Sequence, residues 1–476
     1  MSRASLALLA AVALGLRLIA IGHESYWYDE AITVFNSSGP LADIPHQVAI
    51  RDVSPPLYFV VLGLWIKLFG AGEAAVRALS ALGGVVALVA FHRAATRVAG
   101  REPANLAAAL FCISPFAIRF AQEARMYGLL FPLAWIALAH LARLADDPAP
   151  RRFALLALLN VLVLYTHAFG ALIPLLALVY LLVRAGRREA LRFLAIQSLF
   201  GLAFIPWLVV MIHQVRERMG GFWIGKPDLA SVHFLFYVMA GGSPTADGFP
   251  LVALASRCAV RLAYAAVAIG LYRSWRDRLA RPQAWHAARV CVVGLALPIG
   301  LVFVFSHLVT PLFVDRYFLF LAPFFWLAVA LAGAGLPGRR GWLVVLMALA
   351  LHLPVLIHQY RDLSKEDWRG AVQSIESSGR PADAWVDTGG MMVLMAYRRD
   401  HARPPSISTV QGGFPQRHLT APELVDALKN VESFWMLFTP YGPGPTVYRP
   451  TLKTTFDEDD YRELAGLSIG HYRRKR

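Results

Sequence analysis

Pro55-Pro56-Leu57-Tyr58-Phe59-Val60-Val61-Leu62-Gly63-Leu64-Trp65-Ile66-Lys67-Leu68-Phe69-Gly70 is the stretch on which the topology turns. Its apolar run, Phe59 to Phe69, is shorter than the roughly 17 residues a transmembrane helix needs. Proline sits in its first turn and Gly70 ends it. Length and ends predict an interfacial helix lying along the membrane surface. Counting it as a span would invert the side of every later loop.

The basic residues test that choice. Helix 1 runs from about Ala4 to about Ile21 with Arg3 inside, which puts the following loop outside. Helix 2, about Val76 to Phe91, delivers His92, Arg93, Arg97 and Arg101 inside. Helix 3 returns through Ala104 to Ala117, and helix 4, about Tyr127 to Leu141, leads back to Arg143, Arg151 and Arg152. Helix 5 ends outside near Thr166-His167, helix 6 delivers Arg184, Arg187, Arg188 and Arg192, and helix 7 ends near Ile212. Helix 8 delivers Arg273, Arg276, Arg278 and Arg281, helix 9 ends near Ser306-His307, and helix 10 delivers Arg339 and Arg340. Helix 11, about Gly341 to Ile357, exits outside. The basic blocks alternate only if 55–69 does not span. The expectation is an α-helical polytopic membrane protein of about 11 transmembrane helices, with the N-terminus cytoplasmic and the C-terminus outside.

Composition agrees. Of 476 residues, 57% are hydrophobic and 16% charged, with mean hydropathy +0.51. A soluble domain carries about a quarter charged residues. The net charge of +15 does not imply nucleic acid, because the cations lie in short blocks between apolar runs and no basic face interleaves with stacking aromatics. Cys112, Cys258 and Cys291 form no metal spacing and read as small buried hydrophobes. The first segment lacks a small-residue cleavage site before Tyr26 and reads as an uncleaved span.

Residues 1–357 form the expected membrane domain, with an outer juxtamembrane loop at 23–75. From 358 to 476 the chain turns polar. Short apolar runs (Ala384-Trp385-Val386, Ser433 to Phe438), helix-like stretches (Trp368 to Ile375, Ala421 to Leu428) and the turns Asp387-Thr388-Gly389-Gly390 and Tyr441-Gly442-Pro443-Gly444-Pro445 predict a small extracytoplasmic α/β domain.

With this topology, polar groups that do not anchor inner loops collect outside. Tyr26-Trp27-Tyr28-Asp29-Glu30 follows helix 1 and places two acids where charge near a bilayer is costly. A carboxylate held near a hydroxyl can take its proton during attack; the alternative reading of the pair is a helix N-terminus. Arg119-Phe120-Ala121-Gln122-Glu123-Ala124-Arg125-Met126-Tyr127 joins helices 3 and 4, with two cations against the positive-inside bias and Arg119 spaced to pair with Glu123. Asp315-Arg316-Tyr317 precedes helix 10, and Arg77 opens helix 2. A guanidinium fork suits phosphate; snorkelling is the alternative for Arg77. The loop Arg216–Lys226, with Arg218, Phe222 and Trp223, reads as an interfacial loop or a gate. His167 has no partner at metal-ligand spacing. A base and several arginines around one outer space suit a reactant carrying phosphate in the membrane.

Trp27-Tyr28-Asp29-Glu30-Ala31, Ser54-Pro55-Pro56-Leu57-Tyr58, Leu68-Phe69-Gly70, Glu73, Arg77, Gln122-Glu123-Ala124-Arg125-Met126-Tyr127, Arg316-Tyr317 and Lys365-Glu366-Asp367-Trp368-Arg369 together resemble bacterial members of glycosyltransferase family 39, the group of protein O-mannosyltransferases and the lipid A aminoarabinose transferase, of GT-C fold. The resemblance implies a polyprenyl-phosphate-linked sugar donor and transfer to an acceptor hydroxyl on the periplasmic face of the bacterial inner membrane. It implies Asp29 as base with Glu30 supporting, Glu123 as a second acidic site, and Arg77, Arg125, Arg316 and Tyr317 toward the donor phosphate. Tyr28, Tyr58, Gln122, Tyr127 and Lys365 fall to substrate binding. No middle loop is long enough for the lumenal domain of eukaryotic protein mannosyltransferases, which points to a lipid or glycan acceptor. No nucleotide cofactor is expected, since no Gly-rich phosphate loop occurs. Two carboxylates and a lipid phosphate leave room for a shared divalent metal, although no ligand set is visible. The rival reading is a transporter or flippase of a lipid-linked sugar, which calls for polar groups near the midplane; Arg17 in helix 1 is the main such group.

Overall fold

The computed structural model describes residues 2–218, 224–246, 248–362, 365–380, 382–390, 393, 397, 406–411, 417–440 and 442–476. Phe222, Trp223 and the side chains of Arg218 and Arg339 lie outside the described residues.

The chain opens with α1 (Arg3–Leu18), then α2 (Tyr28–Ser37), α3 (Ile44–Arg51) and α4 (Leu57–Phe69). The membrane bundle continues through α5 (Glu73–Ala99), α6 (Arg101–Cys112), α7 (Pro115–Ala121), α8 (Tyr127–Asp146), α9 (Pro150–Leu164), α10 (Leu172–Arg184), α11 (Arg187–Gly201), α12 (Ile205–Arg218) and α13 (Leu229–Met239). It closes with α14 (Pro250–Arg276), α15 (Pro282–Leu308), α16 (Ala322–Ala334) and α17 (Trp342–Arg361).

Helices stand at every predicted span position. Among the described residues seven are long and apolar enough to cross a membrane, and the bent pair α6–α7 makes an eighth when counted as one span. α1, α9 and α10, at 16, 15 and 13 residues, occupy the remaining positions and fall short of a full crossing. Helix ends that the charge pattern assigns to one side do meet: Arg184 of α10 lies 3.6 Å from Asp146 of α8, and the Gln283 amide at the start of α15 donates to the Arg97 carbonyl of α5.

Two predicted spans need correction. Helix 1 was expected to reach Ile21 but stops at Leu18, because the chain turns through Ala20 at φ 56°. Helix 3 was expected to be continuous from Ala104 to Ala117. It breaks after Cys112 with a bend of 59°. Pro115 has no N–H to continue a helix, and Ser114 caps the new one by accepting from the Ala117 N–H.

α4 has 13 residues and ends at Gly70, whose φ of 82° a side chain would strain. It packs on α2, α3 and the start of α5. Tyr58, Phe59 and Leu62 are fully buried there with Ala31, Ile44, Val48 and Val76. Each such aliphatic or aromatic side chain is worth about 1.5–3 kcal/mol.

Beyond α17 the chain forms a five-stranded sheet in the order β2-β1-β5-β7-β6. Here β1 is Ala384–Asp387, β2 Ser406–Ser408, β5 Ser433–Phe438, β6 Phe456–Leu464 and β7 Leu467–Arg474; β3 (Val410–Gln411) and β4 (Arg417–His418) pair separately. β1 runs parallel to β2 and β5, whereas β7 is antiparallel to β5 and β6. Side chains alternate between faces. Ala384, Val386, Phe434, Met436 and Phe438 pack under α19 (Ala421–Ala427) and α20 (Pro445–Thr455). Trp385, Trp435, Leu437 and Ile469 pack with α18 (Trp368–Ser377) in the same cluster as α2 and α4. The sheet is therefore seated on the loop that carries Asp29 and Glu30.

Candidate active site

α2 begins at Tyr28, so Asp29 and Glu30 lie in its first turn, where carboxylates are favoured. Consecutive helical residues point about 100° apart. The two acids accordingly meet different surroundings.

Glu30 is fully buried. Arg77 grips it with two bonds, Nε to Oε1 at 2.8 Å and Nη2 to Oε2 at 2.7 Å. Lys365 Nζ donates to Oε2 at 3.2 Å, and the Ala124 N–H to Oε1 at 2.9 Å. Burial alone would push the carboxyl up, but Lys365 and Arg77 outweigh it and hold Glu30 at about 2. Glu30 is an ionised structural hub, not a group free to exchange protons.

Arg77 completes the hub. Its other N–H groups donate to the carbonyls of Ile21, Glu24 and Ser25. All five guanidinium donors are engaged within the protein, which corrects the expectation that Arg77 holds the donor phosphate. Lys365 is likewise committed, lying 3.2 Å from Glu30 and 3.8 Å from Glu24.

Asp29 differs. Its side chain is 26% exposed and stands between two arginines, with Arg125 Nη2 and Arg316 Nη2 each 3.7 Å from Oδ2. Arg125 is fixed by donating from Nη1 to the Asp29 carbonyl at 3.0 Å and to Thr33 Oγ1 at 2.6 Å, and its Nε has no partner. Arg316 lies over the Trp27 ring. The next residue, Tyr317, packs on His167 and Phe169. Burial, then Arg125 and Arg316, pull the His167 imidazole down to about 3, so it is neutral. Its Nδ1 accepts from the Phe169 N–H.

The 119–127 turn supplies Arg125 but otherwise departs from expectation. Among the described residues Glu123 forms no ion pair with Arg119. It is 3% exposed and accepts a short bond from the Tyr127 hydroxyl. Burial raises its carboxyl, with Lys365 opposing and Glu30 adding. Arg119 instead lines a neighbouring cavity with Asp315, His358 and Asp362. Gln122 donates to the carbonyls of Arg17 at 3.0 Å and Ile19 at 2.7 Å, tying the turn to the end of α1. Tyr58 and Tyr127 are fully buried. Tyr58 and Tyr127 thus offer no surface to a substrate, which corrects those two expectations, whereas Gln122 stays partly exposed with its amide N–H groups spent on the two carbonyls. Tyr28 is half-buried beside Asp29.

Sequence reasoning missed the seat of the C-terminal sheet. Ser25 Oγ donates to Asp367, and Arg369 donates to the carbonyls of Gly22 and His23 and lies 3.6 Å from Glu73. The Tyr397 hydroxyl donates to Glu73 and accepts from the Tyr26 N–H. Only the charge-dense run 365–369 signalled it. Among the described residues no group of three or more His, Cys, Asp or Glu converges as a metal site.

Residues 53–213 match the model of the dolichyl-phosphate-mannose-protein mannosyltransferase family. No curated protein matches the chain. Among solved structures, ArnT from Cupriavidus metallidurans in the apo state superposes with a TM-score of 0.64 at 16% identity, covering 98% of this chain and 97% of that one. The same protein bound to undecaprenyl phosphate gives 0.61 at 15% identity, covering 99% and 98%. The oligosaccharyltransferase of Archaeoglobus fulgidus in its apo form gives 0.56 at 12% identity, covering 100% of this chain and 75% of that one. The resemblance to glycosyltransferase family 39 is thereby borne out, through the family match over residues 53–213 and an ArnT-like GT-C fold over nearly the whole chain.

Proposed function

We propose that this protein is a membrane glycosyltransferase that moves a sugar from a polyprenyl-phosphate carrier to an acceptor hydroxyl at the periplasmic face of the inner membrane. The observation that carries the reading is the position of Asp29, a partly exposed carboxylate between Arg125 and Arg316, beside an acid that is locked away. The family match over residues 53–213 and the ArnT-like fold support the reaction class, and the undecaprenyl phosphate bound by that ArnT supports a polyprenyl phosphate carrier.

The reaction is a single displacement with inversion. The acceptor oxygen forms a bond to the anomeric carbon as the bond from that carbon to the phosphate oxygen breaks. Asp29 takes the acceptor proton. The electron pair leaves with the polyprenyl phosphate, whose growing charge Arg125 and Arg316 stabilise. Glu30, Arg77 and Lys365 hold the first turn of α2, and with it Asp29, in place.

The test supplies purified protein with labelled polyprenyl-phosphate sugars and acceptor lipids. Transfer by wild type with inverted anomeric configuration is the expected result. Passage of the intact sugar-lipid across a bilayer without transfer would replace the enzyme by a flippase.

A further inference from the structure

Arg17 is a fully buried cation in the last turn of the apolar helix α1. Among the described residues it has no carboxylate partner. Its Nη1 donates to the Ala13 carbonyl at 3.0 Å and to the Cys112 carbonyl at 3.4 Å, while Nε and Nη2 have no partner. A charge is not kept in such surroundings without a function.

Its surroundings define one. Cys112 is the last residue of α6, where the span breaks. A broken helix end leaves orphan carbonyls and the negative end of the helix dipole, and a guanidinium beside it answers both. The Arg17 guanidinium also lies 5.8 Å from the Phe111 ring centroid. Space for it comes from Gly84 of α5, where an added Cβ would stand 2.8 Å from Arg17 Nε.

From this joint the chain reaches both sides of the site. On one side α7 leads from the break to Ala124, whose N–H meets Glu30, and to Arg125, which meets Asp29. On the other, α1 ends one residue beyond Arg17. The following turn supplies the Ile21, Glu24 and Ser25 carbonyls that clamp Arg77. Gln122 closes the frame through the Arg17 and Ile19 carbonyls.

We propose that Arg17 is a positioning residue for sugar transfer: by capping the broken span from within the membrane, it sets the spacing between Asp29 on α2 and Arg125 on the 122–125 turn. It touches neither substrate. The inference rests on the glycosyltransferase reading and goes beyond it, because it concerns what holds the site together.

The test compares Arg17→Lys, Arg17→Met, Gly84→Ala and the Arg17→Met/Gly84→Ala double variant, each as full chain in lipid nanodiscs, with kcat and KM for the polyprenyl-phosphate sugar measured per folded molecule. A misplacement of about an ångström costs ~10- to 100-fold in turnover. Arg17→Met is expected to lose that much in kcat with KM changed less than about threefold. Arg17→Lys, which keeps a cation at the helix end, recovers most of it. Gly84→Ala, which presses on Arg17 Nε, lowers kcat in the same way, and the double variant is no worse than Arg17→Met alone. If Arg17→Met is too unstable to assay, Gly84→Ala and Arg17→Lys carry the comparison. Wild-type kcat in every variant that folds, or a loss confined to folded yield, overturns the proposal. Absence of transfer by wild type overturns the enzymatic reading instead.

Discussion

Glu30, on the 26–30 segment, and Glu123, on the facing 119–127 turn, are both buried carboxylates, and the protein treats them oppositely. Glu30 receives two cations and a backbone N–H at contact distance and stays ionised. Glu123 receives a phenol, and burial raises its carboxyl. The two feel overlapping fields, since Lys365 acts on both. The difference lies in contact: a buried charge survives when its partners also fill its hydrogen-bonding sites, and the more distant field of the same lysine does not substitute. The contrast also isolates Asp29. It is the acid of the group with water access, and its arginines stand at 3.7 Å, leaving room for phosphate oxygens to join them.

The sharpest way to break this comparison is Glu30→Gln. It leaves Arg77 buried without the carboxylate that takes two of its five bonds, and unfolding in detergent is expected to show a loss of about 3–5 kcal/mol. Next is Arg316→Ala, which removes one of the two arginines proposed to meet the donor phosphate and leaves the hub intact. Turnover is expected to fall ~10²–10³-fold while unfolding changes little. Lys365→Met removes the second cation from Glu30 but not the first, and should cost about 1.5–3 kcal/mol. Glu123→Gln is expected to have the smallest effect, under about 1 kcal/mol, because a neutral amide replaces a group whose proton the site already favours.

The same pair gives opposite pH dependences. The folded state lowers Glu30, so its stabilisation is complete above its ordinary value of 4.5 and is lost as pH falls toward about 2. The folded state raises Glu123, so its contribution weakens as pH rises from 4.5 through the higher folded value. Unfolding midpoints measured against pH should show Glu30→Gln abolishing part of the acid-side slope. Glu123→Gln should flatten the decline on the other side. Identical slopes in both variants would contradict the assignment.

Much of this was legible in the sequence because the membrane imposes simple rules. Basic blocks at alternate helix ends locate the spans, and the short run 55–69 could be set apart by length alone. Asp29, Arg125 and Arg316 stood out as charges at the same membrane surface, and they do meet. The roles of Arg77 and Gln122 were not legible. Both bond to backbone carbonyls in the 17–25 stretch, and such partners leave no side-chain signature. The break in the third span did have a signal, Ser114-Pro115, hidden inside an apolar run that reads as continuous. The seat of the C-terminal sheet depends on contacts such as Ser25 to Asp367, over three hundred residues apart, which no local pattern encodes.

Asp29→Asn tests the central claim most directly. The amide keeps the shape and removes the base, so transfer of labelled sugar should fall ~10²–10⁴-fold while the variant still folds and still binds polyprenyl phosphate. Transfer at the wild-type rate by folded Asp29→Asn would contradict the assignment of Asp29 as the base.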